Sequence, residues 1–163
     1  MKRSEFFTIY ALELLVQIFI CNSLNFTQLL TLTLLPMMVM CIPSEISTPG
    51  TLTIAFISGF LVDFFATGDL GLTIVALLPV ALLKRTLMQL VIGDKTMSIK
   101  DEVSFRLLSF PKLATIVTVP TFLFLIILIW VDGAGTRSFG FNLARLVISG
   151  VTSCLFALIT AGL

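Results

Sequence analysis

The chain has 163 residues, of which 58% are hydrophobic and 12% charged, with no histidine and a formal net charge of +1. Soluble domains carry about 45–50% apolar and about 25% charged residues, and a chain this short has no core large enough to hide the surplus. The composition excludes a soluble enzyme, a nucleic-acid binder and a disordered chain, and implies an integral membrane protein.

A helix crosses the hydrocarbon core with about 20 apolar residues, within a range of about 17–25. The first such run covers residues 6–24. It follows Met1-Lys2-Arg3 in the manner of a signal peptide, but no small-x-small cleavage site follows it, so it reads as an uncleaved first span. A polar break at 25–28 precedes a short second run, 29–42, with Pro36 inside it and Pro43 closing it. Its length suggests a buried or re-entrant segment; a kinked helix is the alternative, because neighbours in a bundle re-satisfy the carbonyl that proline frees. The loop Ser44-Glu45-Ile46-Ser47-Thr48-Pro49-Gly50 leads to a third span at 51–66. Thr67-Gly68-Asp69 is a tight turn, in which Gly68 and the following Gly71 supply the positive φ that a sharp reversal needs. The fourth span begins at Leu70 and extends through Lys84-Arg85 to Ile92. The sizeable polar loop 93–112 follows, and Ser98 to Leu108 within it reads as an amphipathic stretch on the membrane or a partner, or as a solvated loop that sets topology. The fifth span is 113–131, with Pro120 inside, and the sixth is 143–163 after a glycine-rich loop. The expected architecture is all-α: one transmembrane domain over residues 1–163, a compact bundle of about six helices.

Lys2, Arg3, Lys84, Arg85, Lys95, Lys100, Arg106 and Lys112 fall on one side of that bundle, and Arg137 and Arg145 on the other. By the positive-inside rule both termini are expected in the cytoplasm.

Ionisable groups within spans cost roughly 2.5–3.5 kcal/mol at the helix centre, so each needs a reason. Glu13 lies two turns into the first span, with Gln17 on the same face. Lys84 and Arg85 stand at a matching depth in the fourth. An ion pair of Glu13 with Lys84 or Arg85 is expected, with a proton or substrate site as the alternative. Asp63 lies at the end of the third span, four residues after Gly59, which permits close helix approach. A carboxylate at a helix C-terminus opposes the macrodipole, so Asp63 needs a partner. Arg145, at similar depth, is the expected one, and the pair would staple the third span to the sixth. A lone Asp snorkelling to the headgroups is the alternative.

Reactive chemistry has little support. The chain has no His, no GxSxG, no HExxH and no phosphate-binding loop. Cys21, Cys41 and Cys154 are scattered and form no CxxC pair, so they read as small buried hydrophobes. No catalytic residue, metal ligand or cofactor is expected.

The segment Gly59-Phe60-Leu61-Val62-Asp63-Phe64-Phe65-Ala66-Thr67-Gly68-Asp69-Leu70-Gly71 resembles the signature of the rod shape-determining protein MreD family: a G-x-x-x-D helix end, a short turn with a further glycine, and another span. Gly59, Asp63 and Gly71 match that motif, and Leu143-Ala144-Arg145-Leu146-Val147-Ile148-Ser149 is similar to the start of the family's last span. The short, Pro36-broken second span departs from it. The resemblance implies a non-enzymatic subunit of the bacterial cell-elongation complex in the inner membrane. Its implied partners are the bitopic protein MreC and, through it, RodA, a class B transpeptidase and the actin-like MreB. It implies no cofactor and no nucleic acid. In size and span number the chain also resembles the S-components of energy-coupling-factor vitamin transporters, in which Asp63 and Arg145 would line a ligand pocket. Against that, Ala11 and Leu15 do not supply the paired small residues by which such proteins dock.

Overall fold

The computed structural model describes residues 3–23, 30–43, 45–92, 110–133 and 137–162. The expected amphipathic stretch Ser98–Leu108, with Lys95, Lys100 and Arg106, lies outside the described residues.

The protein is all-α and multi-pass. Six helices follow in order: α1 (Arg3–Ser23), α2 (Leu35–Cys41), α3 (Thr48–Val62), α4 (Leu72–Ile92), α5 (Phe110–Asp132) and α6 (Phe139–Gly162). All but α2 are long and apolar enough to cross a membrane. Their outward faces are apolar: Leu12, Leu15 and Phe19 on α1, and Val147, Val151, Leu155 and Ile159 on α6, are all exposed. In lipid such faces need no cover, since association there is driven by packing and polar contacts and not by water.

Direction follows from side-chain contacts. Tyr10 on α1 meets Ser58 on α3 at 2.9 Å, and Asn22, near the end of α1, donates to the Phe65 carbonyl just beyond α3 at 3.2 Å. The two helices therefore run the same way, and the chain between them must return across the bundle. Residues 30–43 make that return. Five non-helical residues at about 3.3 Å each and a seven-residue helix at about 1.5 Å each advance about 27 Å, close to the roughly 30 Å of a hydrocarbon core. The second pass is thus half unwound, and Pro36 occupies the first turn of α2, where its missing N–H costs nothing.

α2 is the centre of the molecule. Leu35 through Met40 are all buried, and α2 touches α1, α3, α4 and α5. Around it pack Leu14, Ala55, Leu77, Val80, Phe124 and Ile129. A helix this short cannot span alone, so its apolar surface faces protein on every side and its ends carry the polar demand.

Candidate functional site

The first group of singled-out residues shapes the α3–α4 hairpin. Gly59 lies against the α4 backbone: a Cβ there would stand 3.1 Å from both the N and Cα of Ile74. One turn on, the chain widens into a π turn at Asp63–Thr67 and ends at Gly68, whose φ is +76° and whose N–H reaches the Asp63 carbonyl at 2.8 Å. Gly71, at φ +101°, completes the reversal.

The Asp63 side chain is fully buried. It accepts the N–H of Gly71 at 2.8 Å and that of Thr73 at 3.0 and 3.1 Å. These amides lie at the start of α4, where the first N–H groups have no helical partner. The carboxylate opposes the dipole of its own helix but sits on the positive end of the next one. Asp63 caps α4, and among the described residues the expected Asp63–Arg145 staple does not form, Arg145 being bonded elsewhere.

Arg145 pairs with Asp132, the last residue of α5. Its Nε and Nη2 also donate to the Thr31 hydroxyl at 3.2 and 3.0 Å. The sixth helix is therefore tied to α5 and to the unwound second pass. The same face of α6 continues with Ser149 and Ser153, one and two turns further on. The Thr31 N–H donates to Ser149 Oγ at 2.9 Å, and the Thr33 N–H to Ser153 Oγ at 3.1 Å. Ser153 Oγ in turn donates to the Thr31 carbonyl at 3.3 Å. The spacing is physical: two residues of extended chain advance about 6.6 Å, and four residues of helix advance about 6 Å. A serine every turn thus meets an amide every second residue.

Gln17, from α1, serves the other edge of the segment. Its Oε1 accepts the Leu34 N–H at 2.8 Å and its Nε2 donates to the Leu32 carbonyl at 3.2 Å and to Cys21 Sγ at 3.1 Å. Non-helical backbone at membrane depth is tolerated only where protein satisfies it; Gln17, Ser149, Ser153 and Thr33 do so here. A cavity of about 280 Å³ lies beside this segment, lined by Gln17, Thr31, Thr33, Asp132, Arg137 and Arg145 together with apolar groups from α3, α4 and α5.

Toward the opposite end, Lys84 is buried, and its ammonium donates to the carbonyl of Ile42, the residue that closes α2. A cation at a helix C-terminus meets free carbonyls and the negative end of the dipole. Glu13 is half-buried on α1, and α2 packs against both α1 and α4. Arg85 is exposed. Among the described residues no ion pair joins Glu13 to Lys84 or Arg85, because α2 stands between the helices that carry them. Next to Glu13, the Ser58 hydroxyl donates to the Ile54 carbonyl at 2.8 Å, which leaves Tyr10 as the donor to Ser58.

Thr31, Thr33, Asp132 and Ser153 are not singled out from the sequence, and Ser149 is named there only within the segment that is similar to the start of the family's last span. A sign was present: Arg145, Ser149 and Ser153 form a polar stripe at intervals of four on a mostly apolar helix, and Thr31 and Thr33 alternate with leucines. Chemically the arrangement satisfies backbone and joins helices. Among the described residues no three His, Cys, Asp or Glu side chains come together as a metal site would require, and Cys21, Cys41 and Cys154 are free thiols. No family model, curated protein or solved structure matches this chain.

Proposed function

We propose that the protein is a non-catalytic subunit of the bacterial cell-elongation complex, set in the inner membrane with both termini in the cytoplasm. On this reading it binds MreC and, through it, supports peptidoglycan synthesis by RodA and a class B transpeptidase under MreB. The observation that carries the reading is the motif from Gly59 to Gly71. Its glycines set a close helix approach and a sharp turn, and its aspartate is spent on capping α4. A motif whose acid is consumed in this way suits a rigid docking body better than a reactive centre. The orientation rests on charge placement: Lys84, Arg85 and Lys112 lie toward the end opposite to Asp69, Asp132, Arg137 and Arg145.

A second reading, a substrate-binding subunit of an energy-coupling-factor vitamin transporter, is favoured by one feature, the polar cavity at the end of the bundle that is expected to face outward. Purification of the tagged chain from native membranes in mild detergent separates the two. Recovery of a bitopic coiled-coil protein with cell-wall synthases is the expected result. Recovery of ABC-type ATPases with a second membrane subunit would overturn the elongation reading.

A further inference from the structure

Three described carboxylates lie within or at the end of a span, and the chain answers two of them. Asp63 caps α4 and Asp132 pairs with Arg145. Glu13 has neither an ion pair nor a hydrogen bond among the described residues. It stands eleventh of the 21 residues of α1, about 15 Å from either end. A glutamate side chain does not reach the headgroups from there, and an ionisable group at the centre of a membrane helix needs a partner. The described side-chain atoms that are both buried and unpaired are Arg137 Nη1 and Asn142 Oδ1. The Glu13 oxygens are unpaired without being among them, so they open onto the surface of the bundle.

That surface has a definite place. Tyr10, Leu14 and Gln17 form the buried stripe of α1, and Glu13 stands on its border, with the exposed Ile9 and Val16 one turn before and after it. Ile20, seven residues on and so on the same edge of the helix, packs into a cluster with Leu34 and Met37 of the second pass and Ala157 of α6. The opposite edge carries Asn22, which bonds beside α3. Glu13 therefore faces away from α3, toward the side where the second pass lies between α1 and α6. This is the open side of the molecule. The spans of α1 and α6 are each 22% buried, against 33% for α3 and α4 and 44% for α5.

Lipid tails suit the apolar residues of that side, but they offer nothing to a carboxylate. The complement of this group is a cation or a strong donor held at the middle of the bilayer. Headgroups are too distant. A metal ion would find one carboxylate and, among the described residues, no set of ligands around it. A basic side chain on a neighbouring membrane helix meets the demand in both charge and depth.

We propose that the side of the bundle between α1 and α6 is the docking face for a membrane-spanning helix of another protein, which sets a lysine or arginine against Glu13. Ile9 and Val16 supply the apolar contact on either side of the pair. The elongation reading names a complex and no contact surface; this face is defined by charge and depth, and holds for whichever complex supplies the helix.

The test places the full chain, carrying a donor dye on a terminal tag, in phosphatidylcholine vesicles with acceptor-labelled synthetic helices. Each helix has about 20 leucines and alanines and differs only at its middle residue, arginine in one and leucine in the other. Arginine is chosen because it keeps its charge. The arginine helix is expected to associate at least tenfold more tightly than the leucine helix. Glu13→Gln abolishes that preference, while Glu45→Gln, at an exposed loop carboxylate, keeps it. A photoreactive residue in place of Val16 captures the arginine helix, and one in place of Val75, exposed on α4, does not. Equal association of the two helices, a preference that survives Glu13→Gln, or equal capture at the two positions overturns the site. Energy transfer between two labelled copies of the chain that Glu13→Gln abolishes gives the face to a second copy and overturns the foreign helix. Melting and helix content of Glu13→Gln without peptide show that lost association is not a lost fold.

Discussion

The Thr73 amide lies 3.0 and 3.1 Å from the two carboxylate oxygens of Asp63, so the residue that ends the third helix also begins the fourth. Both helices meet through this bond and through Gly59 one turn earlier, where the α4 backbone comes within van der Waals distance. The hairpin is a single unit built from one acid and three glycines.

Replacing Asp63 by Ala leaves the Gly71 and Thr73 amides without their acceptor. Loss of a helix cap costs about 0.5–2 kcal/mol, and burial places this site toward the upper end. Asp63→Ala is expected to lower the melting temperature in detergent by several degrees. Asp63→Asn, which keeps one acceptor oxygen, is expected to lose less. Equal losses in the two would show that charge, and not the acceptor, carries the effect.

At Gly59 the expected order is glycine, then alanine, then leucine. An alanine Cβ at 3.1 Å from backbone atoms of Ile74 demands a shift of a few tenths of an ångström, whereas leucine forces α3 and α4 apart. Overpacking of this kind costs roughly 1–3 kcal/mol or more. Yield of monodisperse protein after detergent extraction should fall in the same order.

The seam along α6 predicts coupling between its serines. Ser153→Ala removes an acceptor from Thr33 and a donor from Thr31. Hydrogen bonds between membrane helices average about 0.6 kcal/mol by double-mutant cycle, while a stranded buried amide costs about 1–3 kcal/mol. The second figure governs here, since the unwound pass has no helical partner to fall back on. Ser149→Ala combined with Ser153→Ala should therefore destabilise by at least the sum of the single changes. Additional release of residues 30–34 would appear as faster hydrogen exchange at Thr31 and Thr33.

For Arg145 and Asp132, removing one charge is expected to hurt more than removing both. The pair is partly buried, its side chains 12% and 24% exposed, so breaking it strands a charge that is incompletely solvated, whereas an apolar replacement of the pair is often close to neutral. Arg145→Met and Asp132→Leu singly should each lower the melting temperature. The double variant should recover part of the loss, short of full recovery because Thr31 also loses its donor. Strict additivity of the two would argue against the pair.

Lys84 and Glu13 separate two explanations of the same charges. With the ammonium on the Ile42 carbonyl, Lys84→Met removes the cap of α2 and is expected to cost about 1 kcal/mol or more. Glu13→Gln keeps the side chain's shape and breaks no ion pair among the described residues, so melting should stay within about 0.5 kcal/mol of the parent. A loss in Glu13→Gln equal to that in Lys84→Met would restore the ion pair expected from the sequence.

Much of this architecture is legible in the residues. Apolar runs of helical length mark the five long helices, because lipid leaves the backbone no other way to cross alone. Gly68 and Gly71 mark the reversal, since positive φ is readily available to glycine alone, and a carboxylate at a helix end announces that a partner exists. What the sequence by itself could not determine is which partner. Asp63 and Arg145 have matching depth and opposite charge, yet each is satisfied elsewhere, by the α4 amides and by Asp132. Depth is a one-dimensional coordinate that follows from position along a helix, whereas pairing depends on which helices are neighbours around the bundle. The second pass shows the same limit. Its shortness and Pro36 are visible in the chain, but whether such a segment stays helical depends on what its free amides and carbonyls meet. Here Gln17, Ser149, Ser153 and Lys84, contributed by three other helices, supply those bonds, and only the tertiary structure brings them to it.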